Sequence, residues 1–286
     1  MRQKRAIAIH DISCTGRCSL TVALPILSAA GIETSVIPTA VLSTHTGEFS
    51  GYTYTDLTDD MPLIARHWAS LGLTADAIYT GFLGSYRQIR IVCDIIDMFK
   101  GPDTLVFVDP AMADNGRLYK TIDKNFPDGI KTLIRKADII VPNMTEAMFL
   151  LGMPYSEGPY DPAKIDEILL SLSGLGPNRV ILTGVYYDEK KLGAASYDAS
   201  AKKIGYSFSE KVDGFYYGTG DVFASALLGA MMNGIKADEA ISIAVHYTAH
   251  SIERTKDEGR DVRYGVNFEQ GLGEYIKAIE NERTRH

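Results

Sequence analysis

Gly218-Thr219-Gly220-Asp221 stands directly before the helical run 222–231 and puts three kinds of chemistry into four residues. The two glycines let backbone fold closely against a ligand. The helix start offers unpaired N–H groups and the positive end of a dipole, so the place attracts phosphate. A carboxylate in the first helical turn, beside a bound phosphoryl group, can take the proton of an alcohol that attacks it. The same four residues also read as a plain turn whose Asp221 complements the helix dipole. Companion residues decide between the two.

Those companions depend on the elements that carry them. Short apolar runs rich in β-branched residues recur at 6–9, 35–41, 77–80, 104–108, 139–141 and 180–182. Each is too short for a helix, and buried strands are predicted. Between several of them the spacing turns helical. Ile89, Val92, Ile96 and Phe99 share one face, as do Ile165, Ile168, Leu169 and Leu172, and near the end Leu272, Tyr275, Ile276 and Ile279. Trp68 joins Ile64 and Leu71 on a further helix face. The alternation predicts an α/β chain with a mainly parallel sheet and helices on both faces. Runs 194–197 and 203–208 read as a late hairpin at one sheet edge. No linker, low-complexity tract or repeat divides the chain, so one domain spanning 1–286 is expected.

In an open parallel sheet, ligands bind beyond the carboxyl ends of the strands. Run 6–9 leads into His10-Asp11-Ile12-Ser13, and run 104–108 into Asp109-Pro110. Run 139–141 leads into Pro142-Asn143-Met144-Thr145-Glu146, and run 180–182 into Thr183-Gly184. Acidic, amide and hydroxyl groups therefore converge on one rim. Asn143 and Glu146 also have the spacing of a capping box. The two roles are compatible, because a capped helix is a rigid platform for a carboxylate that orders magnesium-bound water. Asp109 and Asp114, set around Pro110 and Gly116, suit either a turn or a loop beside a Mg²⁺–nucleotide. Ser43-Thr44-His45-Thr46-Gly47 forms a loop rich in hydroxyl and imidazole groups. Phe82 is either a core ring or a stacking platform.

Composition excludes several classes. With 29 basic against 36 acidic residues, a net charge of −7 and no Lys/Arg-rich run, nucleic acid is not an expected partner. At 286 residues and 45% hydrophobic, the chain can bury a large core. Cys14, Cys18 and Cys93 are an odd count with no disulfide framework, which suits a reducing compartment. Cys14 and Cys18 lack the second ligand pair of a zinc site. The basic residues 1–5 precede an apolar stretch of only 6–9, too short for a signal peptide or membrane span. A soluble, cytoplasmic protein without a membrane partner is expected.

Taken together, these residues resemble the ribokinase-like superfamily, and within it the pyridoxal/pyridoxine/pyridoxamine kinases. Gly218-Thr219-Gly220-Asp221 matches the superfamily's closing Gly-x-Gly-Asp motif, and 210–214 resembles the segment leading into it. Residues 141–147 resemble the Pro-Asn-x-x-Glu element, 108–114 the Asp-Pro-Val-x-Gly-Asp element, and 42–47 a Ser-Asn-His-Thr-Gly substrate loop. The matches keep their order along the chain. The resemblance implies a three-layer α/β/α sandwich that transfers phosphate from ATP to the 5′-hydroxymethyl group of a B6 vitamer.

It also implies roles. Asp221 is the base, and the N–H groups of Gly218, Thr219 and Gly220 form an anion hole. Asn143 and Glu146 organise Mg²⁺ and phosphate, with Asp109 near the cations. Asp114, Thr183, Gly184, Lys211 and Thr219 lie on the nucleotide side. Thr44, His45, Thr46 and Phe82 lie beside the pyridine. A homodimer is a further implication, and the sequence leaves open whether a monovalent cation, K⁺, is required. The chain departs from the pattern in places. Asp11 stands where pyridoxal kinases carry Ser, with Ser13 as an alternative alignment. Phe82 replaces Tyr, Ala113 replaces Gly, and Gly184 stands where a hydroxyl is common. These departures touch ring recognition more than reaction class. Hydroxymethylpyrimidine kinase is the alternative enzyme, and a non-catalytic pyridoxal phosphate-binding protein the alternative from another class.

Overall fold

Alternate residues of the apolar runs face opposite layers, as the pleat of a strand requires. Ile7, Ile9, Ile78, Val106, Val108, Ile140, Val180 and Leu182 join one buried cluster. Ala6, Ala77, Tyr79, Phe107, Ile139, Val141 and Ile181 join a second cluster. Each cluster is the floor of a helical layer. The computed structural model describes residues 2–285.

In chain order the elements are β1 (Arg5–Thr15), α1 (Leu20–Ala29), β2 (Glu33–Thr44), β3 (Tyr54–Asp56), α2 (Met61–Ser70), β4 (Ala77–Thr80) and α3 (Tyr86–Phe99). There follow β5 (Leu105–Val108), β6 (Ala113–Asp114), β7 (Arg117–Leu118), α4 (Phe126–Ile134), β8 (Ile139–Ile140), α5 (Met144–Leu151) and α6 (Pro162–Ser173). The chain closes with β9 (Arg179–Asp188), β10 (Lys191–Asp198), β11 (Lys203–Glu210), α7 (Thr219–Met232), α8 (Ala237–Glu258) and α9 (Leu272–Thr284). The main sheet has the order β11-β10-β9-β8-β5-β4-β1-β2-β3, and β6 and β7 pair separately. Strands β2, β1, β4, β5, β8 and β9 are parallel, while β3 pairs antiparallel with β2 at one edge and β10 and β11 form an antiparallel hairpin at the other, β10 pairing with β9.

Helices α2 to α6 pack on the first cluster, whereas α1, α7, α8 and α9 pack on the second. From β1 the chain therefore crosses to β2 over one face and returns to β4 over the other. This switch opens a crevice beyond the carboxyl ends of β1 and β4. The expected hairpin is present as β10 and β11.

Three expectations about strand ends change. His10 to Ser13 lie inside β1, because β2 continues alongside and keeps pairing with it after a register shift, through Ile12↔Val41, Ser13↔Leu42 and Thr15↔Thr44. Ser43 and Thr44 are likewise the end of β2 rather than a loop. Thr183 and Gly184 lie inside β9, prolonged by its antiparallel partner β10. Gly184 is the extra residue of a bulge between the pairs Thr183↔Ala194 and Val185↔Gly193.

Candidate active site

Helix α7 is buried from Val222 to Ala230, which fixes it to the sheet and leaves its first turn facing the crevice. Gly218 is its N-cap at φ 75°, and an added Cβ there would collide with the carbonyl oxygen of Arg17. Only glycine fits this close approach. Val222 N–H is the first to bond back, to Gly218 O at 3.1 Å. The N–H groups of Thr219, Gly220 and Asp221 therefore have no intrahelical acceptor. Gly220 is exposed, with open space where a Cβ would stand. The mouth is accessible to an anion.

Asp221 is half-buried at this mouth, and its Oδ2 accepts the Ser19 backbone N–H at 2.8 Å. Burial pushes its carboxyl up to about 6, with the Asp11 charge adding to the rise and the Ser19 N–H opposing it. Ser19 adopts φ 53° and ψ −127°, an unusual backbone geometry for a residue with a side chain. Nothing in the sequence marks this N–H as functional. The one available signal is a Ser before the apolar run of α1, which hints at a helix start.

The other rim residues fall into two groups. On one side, Asp11 (4% exposed) accepts Ser13 Oγ–H on Oδ2 at 3.3 Å, and its Oδ1 has no partner. Burial raises its carboxyl. His10 is fully buried, both ring nitrogens are unpartnered, and burial lowers its imidazole to about 3, so it is neutral. Phe82 is half-buried, 6.2 Å between centroids from Tyr119. Thr44 pairs with Thr15 at the ends of β2 and β1, and Thr46 is half-buried two residues beyond. His45 has both ring nitrogens engaged by backbone groups. Its Nδ1 accepts Gly47 N–H at 3.1 Å and its Nε2 meets Arg263 O at 2.6 Å, so neither nitrogen is left for a ligand ring.

On the other side, Asn143 and Glu146 form a true capping box for α5. Asn143 Oδ1 accepts Glu146 N–H at 2.9 Å, and its Nδ2 donates to Ala113 O at 2.9 Å. The two oxygens of Glu146 accept the N–H groups of Met112 at 3.1 Å and Asn143 at 2.8 Å. Thr183 N–H donates to Pro142 O at 2.9 Å, which joins β9 to the same turn. Asp114 lies on β6 and accepts Asn115 N–H at 2.9 Å.

Asp109 (9% exposed) and Glu146 (2% exposed) are both held well above the usual carboxylate range. Burial is the main cause for each, followed by the Asp221 charge for Asp109 and the Asp109 charge for Glu146. Asp109 thus links Asp221 to Glu146. Buried carboxylates that repel one another suit a cation. Among the described residues, no three His, Cys, Asp or Glu side chains stand close enough to hold a metal alone. Two carboxylates with phosphate oxygens and water make a sufficient set for Mg²⁺.

Lys211 stands apart from this cluster. Its amine pairs with Glu189 at 2.5 Å and lies 4.3 Å from the Tyr186 ring centroid, and the carboxylates facing it are Glu189 and Asp213. Gly184, at the bulge of β9, is exposed.

A parallel sheet of this order, with a carboxylate at a glycine-capped helix mouth, is the frame of a ribokinase-like phosphotransferase acting on an alcohol. The sequence model of the phosphomethylpyrimidine kinase family matches residues 27–265, and the chain belongs to that family. A Bacteroides thetaiotaomicron protein described as a phosphomethylpyrimidine kinase, in an orthorhombic crystal form with pyridoxal, superposes with a TM-score of 0.91. It is 40% identical over 96% of both chains. Pyridoxal kinase from Lactobacillus plantarum gives 0.88 at 28% identity over the full length of both. Pyridoxal kinase of Dictyostelium discoideum is 24% identical over 99% of this chain and 98% of its own.

Proposed function

We propose that the protein is an ATP-dependent kinase of B6 vitamers, phosphorylating the 5′-hydroxymethyl group of pyridoxal, pyridoxine or pyridoxamine. The observation that carries the reading is Asp221, anchored by Ser19 N–H and facing an open, glycine-lined helix mouth. Similarity to pyridoxal kinases and to a relative crystallised with pyridoxal supports the vitamer over a hydroxymethylpyrimidine.

In this reading the N–H groups of Gly218, Thr219 and Gly220, with that of Asp221 beside them, hold the oxygens of the transferring phosphoryl group, where charge develops. The alcohol oxygen attacks phosphorus in line as the bond to the ADP oxygen breaks, and its proton passes to Asp221. Asn143 and Glu146 make a fixed wall on the nucleotide side, together with Asp114 and Thr183. A divalent cation fits beside Asp109 and, when bound, would neutralise phosphate charge there. Each Glu146 oxygen accepts one backbone N–H, which fixes the carboxylate and leaves a second lone pair on each oxygen for a cation or its water. Asp11 and Phe82 border the ring side. His45 supports that side from behind. The whole described chain acts as one kinase domain in a reducing cytoplasm, with its cysteines free, and as a homodimer that sedimentation would register.

Turnover of pyridoxal, pyridoxine, pyridoxamine and hydroxymethylpyrimidine, each with ATP and Mg²⁺ and with K⁺ or Na⁺, tests the proposal. The expected result is a kcat/KM at least ~10-fold higher for one or more vitamers than for the pyrimidine, the discrimination a few polar contacts supply. A preference for the pyrimidine overturns the substrate. No ADP formation with any alcohol, alongside tight pyridoxal phosphate binding, favours a carrier.

A further inference from the structure

His45 is 8% exposed, and both of its ring nitrogens are committed to backbone groups far apart in sequence. Gly47 can only donate, so Nδ1 must accept, and the ring proton therefore sits on Nε2 and is donated to the Arg263 carbonyl. The ring plane lies 5.0 Å between centroids from both Phe49 and Tyr217. Packing here leaves no slack. A Cβ on Gly47 would stand 2.7 Å from both the His45 and Tyr217 rings. Tyr217 immediately precedes Gly218, whose own close approach is to the Arg17 carbonyl. Arg17 N–H in turn donates to Tyr264 O at 2.9 Å, beside Arg263. The contacts therefore close a circuit: His45 to Arg263 and Tyr264, to Arg17, to Gly218, to Tyr217 and back to His45.

We propose that His45 is a positioning residue, whose neutral Nε2–H form ties the loop after β2 to the anion-binding mouth of α7. The loop covering the alcohol and the N–H groups that receive the phosphoryl then move as one body. The circuit includes Gly218, so loosening the ring would displace the first turn of α7 without removing any group that touches substrate. This inference rests on the kinase reading for its kinetic consequence, but not for its structural one.

Three variants separate the bonds. His45→Phe keeps the ring between Phe49 and Tyr217 and loses both hydrogen bonds. His45→Asn keeps an acceptor near Nδ1, and His45→Gln keeps a donor near Nε2. In His45→Phe, kcat/KM for the alcohol is expected to fall ~10- to 100-fold, the scale of a small misplacement of reacting groups. Meanwhile KM for ATP changes less than threefold, and each of the other two variants recovers part of the loss. Nitrogen-15 spectra of the wild-type imidazole should show the Nε2–H tautomer. Amide exchange at Gly47, Arg17 and Val222 should accelerate together in His45→Phe while α9 stays protected. If no alcohol is phosphorylated, the substrate reading fails and these spectra still decide this inference. An Nδ1–H tautomer, unchanged exchange at Arg17 and Val222, or unaltered alcohol kinetics in His45→Phe would overturn it.

Discussion

Burying one carboxylate beside others is costly, and the proposed reaction gives Asp221 a reason to bear that cost. In the unfolded chain its carboxyl has the ordinary value of 3.8, against about 6 when folded. Below 3.8 the group is protonated in both states and folding is unaffected. Between the two values the folded state binds the proton more strongly, so stability falls as pH rises, and above about 6 the full cost is present. The difference corresponds to at most ~3 kcal/mol, less for a half-buried group. Asp221→Asn is therefore expected to unfold at higher denaturant, by ~1–2 kcal/mol at pH 7.5, with the gain shrinking towards zero as pH falls from 6 to 4. Equal stability of the two proteins at all pH values would mean that the carboxylate is not strained. Asp221 was legible in the sequence because a carboxylate after two glycines at a helix start is a local pattern. Ser19 was not, because its contribution is a backbone N–H aimed by an uncommon φ. The partners of His45 were not legible either, because Gly47 N–H and Arg263 O are backbone atoms that only the folded chain brings to it.

At the scale of the element, the mouth of α7 depends on two glycines for different reasons, and substitution separates them. Gly218→Ala combines φ 75° with a collision against Arg17 O. It is expected to lose ~1–3 kcal/mol of stability together with activity. Gly220→Ala meets open space in a helical first turn. It should be as stable as wild type or more stable by ~0.5–1 kcal/mol, since alanine favours helix. If the phosphoryl oxygens are held at this mouth as proposed, the added methyl group would crowd them, and kcat/KM is expected to drop at least ~10-fold. Thermal melts with steady-state rates on both variants check this. An active Gly220→Ala would show that the anion sits elsewhere. The strands themselves were legible where side chains alternate between two layers. Their lengths were not, because β1, β2 and β9 continue only as far as a neighbouring strand supplies hydrogen bonds.

Over the whole molecule, the sheet's change of crossover face beside β1 decides where chemistry is possible. It brings Asp11 from β1, Asp109 from the end of β5, Glu146 from α5 and Asp221 from α7 to one rim, from four places spread over two hundred residues of sequence. Strand–helix alternation made that rim predictable, and order along the chain made the family resemblance specific. The hairpin of β6 and β7, which carries Asp114, is not legible in the sequence, because two-residue strands leave no periodic signal. The account's central claim is that Asp221 takes the alcohol proton at this rim. Its most direct test is the rate of pyridoxal phosphorylation by wild type and Asp221→Asn across pH 5 to 8.5. Wild-type kcat/KM should rise with pH through about 6 and then level, as the carboxyl ionises. Asp221→Asn should lose at least ~10²-fold in kcat, keep its ATP affinity and show no such rise. A variant that turns over within a few-fold of wild type, with the same pH profile, would contradict the account.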